Sequence, residues 1–249
     1  MVEGGRESPP LVNAVRRDGR DALLLHGFTG SARDLSSLAD ALGERGFRVD
    51  APTLPGHGTS PRDLARTRWP DWERAANAAL YRLGERVAVA GLSMGALLAI
   101  RLAVEHPDRV AALALLSTPL WLSAPAHAAA WIGRIVPYLP KGAVDVRDPV
   151  ERKAAATGYR LWPLAALRSL LDLAAEAREL APRVRAPALV VHARNDHVAA
   201  LACADELERT LGGPVRRITL ERSFHVITRD VERVEVASLI GGFFQEMLS

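Results

Sequence analysis

Gly91-Leu92-Ser93-Met94-Gly95 constrains this chain more than any other stretch. The apolar run Val87-Ala88-Val89-Ala90 precedes it, and an Ala- and Leu-rich run from Ala96 to Val104 follows. A G-x-S-x-G pentapeptide between a strand and a helix specifies a turn so sharp that the central Ser takes a strained backbone. Glycine is needed on both sides because side chains there collide with the flanking strand and helix. The turn leaves a hydroxyl at a helix N-terminus, where the dipole and free N–H groups favour developing negative charge. Alone the pentapeptide is a weak pattern; its flanks make Ser93 a candidate nucleophile.

The rest of the chain alternates short β-like runs with longer helical ones, the mark of an α/β fold with a mostly parallel sheet flanked by helices. Strands are predicted near 22–25, 47–50, 87–90, 110–116, 188–191 and 217–220, with a further short one around 11–16. Helices are predicted near 31–43, 71–83, 94–106, 199–211 and 231–247. Between Pro119 and Pro187 the alternation stops, and no convincing strand is visible. This stretch is Ala- and Leu-rich, broken by five prolines from Pro137 to Pro182, and carries Trp121, Trp131, Tyr138, Tyr159 and Trp162. A loop that long is unusual inside a compact domain, so it reads as an inserted helical subdomain, a lid between two strands. The expected organisation is therefore a core of residues 1–118 and 187–249 with a helical insertion over 119–186.

Several function classes are disfavoured. Lys and Arg number 32 against 29 Asp and Glu, a formal net charge of +3, and Lys141 and Lys153 are the only lysines. The arginines are scattered among acids without a basic stripe, which argues against nucleic acid as a partner. Cys203 is alone, so no intrachain disulfide forms, and it reads as a small core residue. The N-terminal residues carry no apolar signal-peptide core. The longest apolar stretch, Val110 to Leu122, is interrupted by Ser117, Thr118 and Pro119 and is too short to span a bilayer. A soluble cytoplasmic protein without stable membrane insertion is the expectation.

A serine hydroxyl becomes a nucleophile when a positioned base takes its proton, and a carboxylate holds that base in the useful tautomer. After an elbow of this kind the partners follow in the order Ser, acid, His. His106, His127, His192, His197 and His225 lie beyond Ser93. Catalytic loops begin where strands end, at the carboxyl edge of the sheet. Asp196, in Ala193-Arg194-Asn195-Asp196, just follows the strand near 188–191 and is the best acid; Asp205 and Asp230 fall on or beside helices. His192 still belongs to that strand, His106 closes a helix, and His197 sits next to Asp196 on the same short loop. His225, between a strand and the last helix, is left as the base. The Gly-rich turn His26-Gly27-Phe28-Thr29-Gly30 can aim a backbone N–H at a substrate oxygen beside Ser93, and the N–H of Met94 is the second such donor. His57, in Pro55-Gly56-His57-Gly58, precedes Ser93 and reads as structural.

Together these residues resemble the α/β-hydrolase superfamily over essentially the whole chain, and above all its bacterial carboxylesterase/monoacylglycerol lipase group. The resemblance is carried by Leu24-Leu25-His26-Gly27-Phe28-Thr29-Gly30, Pro55-Gly56-His57-Gly58, the elbow, and His225-Val226-Ile227-Thr228. It implies an α/β-hydrolase fold with a central sheet of about six to seven strands and a small helical cap insertion over an acyl pocket. It matches Ser93, Asp196 and His225 to nucleophile, acid and base, and Phe28 and Met94 to the oxyanion donors. Phe224 stands where such proteins carry Gly, a change that bears on the pocket wall. Ala96 replaces a second Gly after the elbow, and the loop after Asp196 lacks the usual Pro.

The expected activity is hydrolysis of apolar acyl esters, monoacylglycerols among them, through an acyl-enzyme, with a small-molecule ester as partner and no metal or organic cofactor. Two alternatives stand beside it. One is cleavage of a lactone, amide or carbon–carbon bond on the same triad. The other is a ligand-binding protein that keeps the fold without turnover.

Overall fold

The computed structural model describes residues 11–13, 19–133, 135–155 and 159–249. In chain order the strands are β1 (Leu11–Asn13), β2 (Asp21–Leu25), β3 (Arg48–Ala51), β4 (Val87–Leu92), β5 (Val110–Leu116), β6 (Tyr138–Pro140), β7 (Leu161–Pro163), β8 (Ala188–Ala193) and β9 (Val215–Leu220). The helices are α1 (Ser36–Glu44), α2 (Pro61–Leu64), α3 (Trp69–Arg82), α4 (Met94–Glu105), α5 (Ala124–Ile132), α6 (Pro149–Ala155), α7 (Leu164–Leu180), α8 (Ala202–Thr210) and α9 (Arg233–Met247).

Seven strands form one sheet in the order β1-β3-β2-β4-β5-β8-β9. All neighbours are parallel except β1, which runs antiparallel to β3. The pattern of side chains explains the double-sided burial. Val87 and Val89 of β4 point into one core, with Trp72, Leu97, Leu167 and Leu207 from α3, α4, α7 and α8. Ala88, Ala90 and Leu92 point into the other, with Leu38 and Leu42 of α1 and Ile240 and Phe244 of α9. Successive strand residues face opposite sides, so a strand covered by helices on both must be apolar throughout.

The order reverses at β2, with β3 added on one side and β4 on the other. Loops leaving the carboxyl ends of β2 and β4 therefore diverge and leave a crevice, the place where open α/β sheets bind ligands. Ser93 and the 27–30 turn lie there.

The stretch between β5 and β8 corrects one expectation. It contains α5, α6 and α7, but β6 and β7 also pair antiparallel, with Leu139 opposite Trp162. Three-residue strands that each end in Pro show no period-two run, so the sequence hides them. α7 packs along α4, α5 and α3, and its buried face merges with the core. Smaller differences occur at element ends. The helix expected over 31–43 is a 3₁₀ turn (Ala32–Leu35) followed by α1, and α9 begins at Arg233. Residues 14–16 of the short strand expected first lie outside the described residues.

Candidate active site

Ser93 sits between β4 and α4 with φ 53° and ψ −115°, a region that a residue with a Cβ rarely occupies. The flanking glycines show why the turn can be this sharp. A Cβ on Gly91 would lie 2.2 Å from Gly95 O, and one on Gly95 would lie 1.9 Å from Leu25 O. Both distances are far inside contact. The elbow is packed against the end of β2, and glycine alone fits.

Three distant stretches of chain meet at this point. His225 Nε2 lies 3.0 Å from Ser93 Oγ, and His225 Nδ1 lies 2.8 Å from Asp196 Oδ2. A carboxylate only accepts, so Nδ1 carries a proton and Nε2 is free to accept from the serine. Asp196 Oδ1 accepts the N–H groups of Val198 and Ala199, each at 2.8 Å. Burial works to raise the Asp196 pKa, but the His225 charge and hydrogen bond and the Ala199 N–H outweigh it and hold the carboxyl below its ordinary value.

Phe28 follows β2 in the turn beside Ser93; a Cβ on the preceding Gly27 would stand 3.4 Å from Ser93 Cβ. The Phe28 ring packs against His57, Trp72 and Trp162. Met94 is the first residue of α4, where N–H groups have no intrahelical acceptor. Among the described residues, neither the Phe28 nor the Met94 N–H has a protein acceptor.

Four further residues shape the site and carry no sequence signal of their own. Asp145, between β6 and α6, accepts the backbone N–H groups of His197 and His225 through Oδ2, at 3.1 and 3.2 Å. Its Oδ1 takes the His197 ring at 2.8 Å. Asp230, fully buried, accepts the N–H groups of Arg147, Asp148 and Phe224. Glu232 accepts Arg222 N–H, Ser223 N–H and Ser223 O–H. These three carboxylates pin the loop that presents His225. His192 lies beneath the acid: Nε2 donates to Ala199 O at 3.0 Å and stands 3.4 Å from Asp196 Oδ2. Asp145 and Asp230 act through contacts 80 or more residues away in sequence, so only the fold reveals them.

His26 and His57 are buried one against the other, ring centroids 5.0 Å apart. Leu54 N–H donates to His26 Nε2 at 2.9 Å, which fixes the loop before His57. Burial lowers both pKa values, His57 well below the ordinary histidine value. Cys203 is buried in the core, and burial pushes its thiol up.

A cavity of about 1070 Å³ opens over Ser93 and His225. Phe28, Leu122, Trp162, Leu170 and Val198 form part of its apolar wall. Phe224 does not line it, contrary to the expectation from sequence; the ring packs instead on His197 at 4.6 Å, with Arg147 over its face at 4.9 Å. The stretch between β5 and β8 is tied to the rim by Tyr159, whose hydroxyl donates to Gly56 O at 2.7 Å and accepts Thr59 N–H at 3.1 Å. Among the described residues, no group of three or more His, Cys, Asp or Glu side chains is arranged to hold a metal, and no helix is long and apolar enough to cross a membrane.

The chain is 32% identical over 215 residues to a thermostable monoacylglycerol lipase of Bacillus sp. (strain H-257), covering 85% of this chain and 84% of that protein. It is 27% identical over 230 residues to a carboxylesterase of Bacillus subtilis (strain 168), covering 90% and 92%. A solved structure from work on LipS and LipT, two metagenome-derived lipolytic enzymes, superposes with a TM-score of 0.88 at 27% identity over 99% of both chains. The family model described as "Serine aminopeptidase, S33" matches residues 21–232. The chain belongs to this serine aminopeptidase S33 family and has the α/β-hydrolase fold.

Proposed function

We propose that this protein is a serine carboxylic ester hydrolase of the carboxylesterase and monoacylglycerol lipase kind, cleaving apolar acyl esters through an acyl-enzyme. The observation that carries the proposal is the hydrogen-bonded line from Ser93 Oγ through His225 to Asp196, built on a strained elbow. Ser93 attacks the ester carbonyl while His225 Nε2 takes its proton. Asp196 holds the Nδ1–H tautomer and stabilises the imidazolium that forms. The oxyanion accepts the free N–H groups of Phe28 and Met94. Donors of this kind are worth on the order of 10²–10³ in rate, because they act on charge present only in the transition state. Collapse expels the alcohol with a proton from His225, and water activated by His225 then releases the acid.

The relatives' activities support ester chemistry, and the apolar wall supports an apolar acyl group. Residues 119–186 serve as the cap over that group. Removal of residues from a peptide N-terminus, which the family's description suggests, requires a free carboxylate for the substrate ammonium. The carboxylates lining the cavity are otherwise engaged: Asp34 and Glu151 bind Arg229, and Asp145 binds His197.

Hydrolysis of p-nitrophenyl butyrate and caprylate, compared with Ser93→Ala, tests the reading. Turnover that survives the substitution ends it. Labelling of Ser93 by a fluorophosphonate probe separates an active site from an inert pocket, which stays unmodified.

A further inference from the structure

Lys141 directly follows β6, and its backbone N–H donates to Arg160 O at 2.8 Å, prolonging the pairing of β6 with β7. Its side chain therefore leaves a fixed backbone and enters the cavity that holds Ser93 and His225. The half-buried ammonium donates to Thr29 Oγ1, one residue beyond Phe28 in the turn beside Ser93. A hydroxyl compensates a desolvated ammonium only in part; a counterion does so far better.

Among the described residues, no carboxylate on the wall binds Lys141 directly. Asp34 is the nearby acid, and its charge opposes the lowering of the Lys141 pKa that burial causes. Yet Asp34 Oδ2 accepts Ser31 N–H at 3.1 Å and Oδ1 binds Arg229 at 2.8 Å. Glu151 binds the same Arg229 at 2.6 Å. Arg33 and Arg160 also line the cavity, and neither has a carboxylate partner among the described residues. The lining carries five cationic side chains against three carboxylates, a surplus that a ligand bearing negative charge would balance.

We propose that Lys141 is the counterion for a carboxylate carried by the ester substrate, so that the cavity selects anionic esters over neutral ones of the same shape. This rests on the ester-hydrolase reading of the same cavity. Arg33 and Arg160, at the rim, attract the anion, and Lys141 binds it further in. A lysine that merely latched the insertion onto the 27–30 turn would affect all esters alike.

Calorimetric titration of the Ser93→Ala protein tests binding without turnover. The probes are the monomethyl and dimethyl esters of succinate, adipate and suberate, and the acetyl ester of glycolate with its methylated counterpart. The anionic member of at least one pair is expected to bind roughly tenfold or more tightly than its neutral mate. Lys141→Met should erase that gap, and Lys141→Arg should keep it. A gap among the dicarboxylate esters assigns the anion to the acyl part; a gap for acetylated glycolate assigns it to the alcohol part. In the protein with Ser93 intact, the ratio of kcat/KM for anionic over neutral ester should fall with Lys141→Met, whereas a mere latch leaves the ratio unchanged. Equal affinity within every pair, or a gap that survives Lys141→Met, overturns the proposal. Absence of turnover on every ester overturns the hydrolase reading instead, and the titration still decides the anion site.

Discussion

The Asp145 carboxylate accepts the backbone N–H of His225 at 3.2 Å, so a residue between β6 and α6 holds the loop that presents the imidazole. Val226 N–H also donates to Asp145 O, at 3.1 Å. The position of the base thus depends on the segment between β6 and α6. Asp145→Ala should reduce kcat roughly tenfold to hundredfold with a smaller change in KM, since sub-ångström placement governs proton transfer. Asp145→Asn keeps an acceptor oxygen and should recover most of the rate. Equal losses in both variants would assign the effect to charge rather than placement.

Asp196→Asn should be far more damaging than its small change in volume suggests. The Val198 and Ala199 N–H groups require an oxygen at Oδ1, which turns the amide NH₂ toward His225 Nδ1. Nδ1 must then accept, the proton moves to Nε2, and Ser93 loses its base. A fall of about 10⁴-fold in kcat with intact folding is expected. Steady-state rates together with an unchanged circular dichroism spectrum check it.

The elbow predicts a stability effect as well. Gly95→Ala would place a methyl carbon 1.9 Å from the Leu25 carbonyl oxygen, in a region where β2, β4 and the first half of α4 are buried. Neither backbone can retreat without breaking sheet pairing between β2 and β4. A destabilisation of at least about 3 kcal/mol is expected, beyond the range of ordinary point changes. Denaturant unfolding measures it, and an Ala variant as stable as the parent contradicts the packing described.

Sheet and helices were legible because their signals are local. The apolar runs at 22–25, 87–90 and 110–116 fall on β2, β4 and β5, and chain order with strand ends pointed to Asp196 and His225. The residues that support those groups were not legible. Asp230 reads as a helix-side acid until the fold brings Arg147, Asp148 and Phe224 to it from two loops. Asp145 lies in a stretch whose prolines mask the β6–β7 pairing that helps shape it. Phe224 misled because a bulky neighbour of His225 suggests a pocket wall, whereas His197 and Arg147 hold the ring away from the cavity. Contacts across 50 or more residues leave no local period to read.

Three buried histidines, His26, His57 and His192, make stability pH-dependent in a known direction. Burial lowers the pKa of His26, His57 and His192, so all three are neutral when folded at neutral pH. The unfolded chain protonates them near the ordinary value of about 6.5. Below that pH the unfolded state binds more protons than the folded state, so stability falls as pH falls toward the folded pKa values. Above about 7 the contribution is complete and flat. Each histidine contributes up to about 1.4 kcal/mol per pH unit inside that window. Asp196 is lowered from the carboxylate range, so its own linkage acts only in stronger acid. Tm should therefore drop between pH 7 and pH 5, by roughly 2–4 °C per kcal/mol for a chain of this size. His57→Gln removes one titrating group; whatever its absolute Tm, its slope over this interval should be shallower. A slope equal to that of the parent would mean that His57 does not stay neutral in the fold, and that the unpartnered Nε2 in the aromatic cluster takes up a proton like an exposed ring.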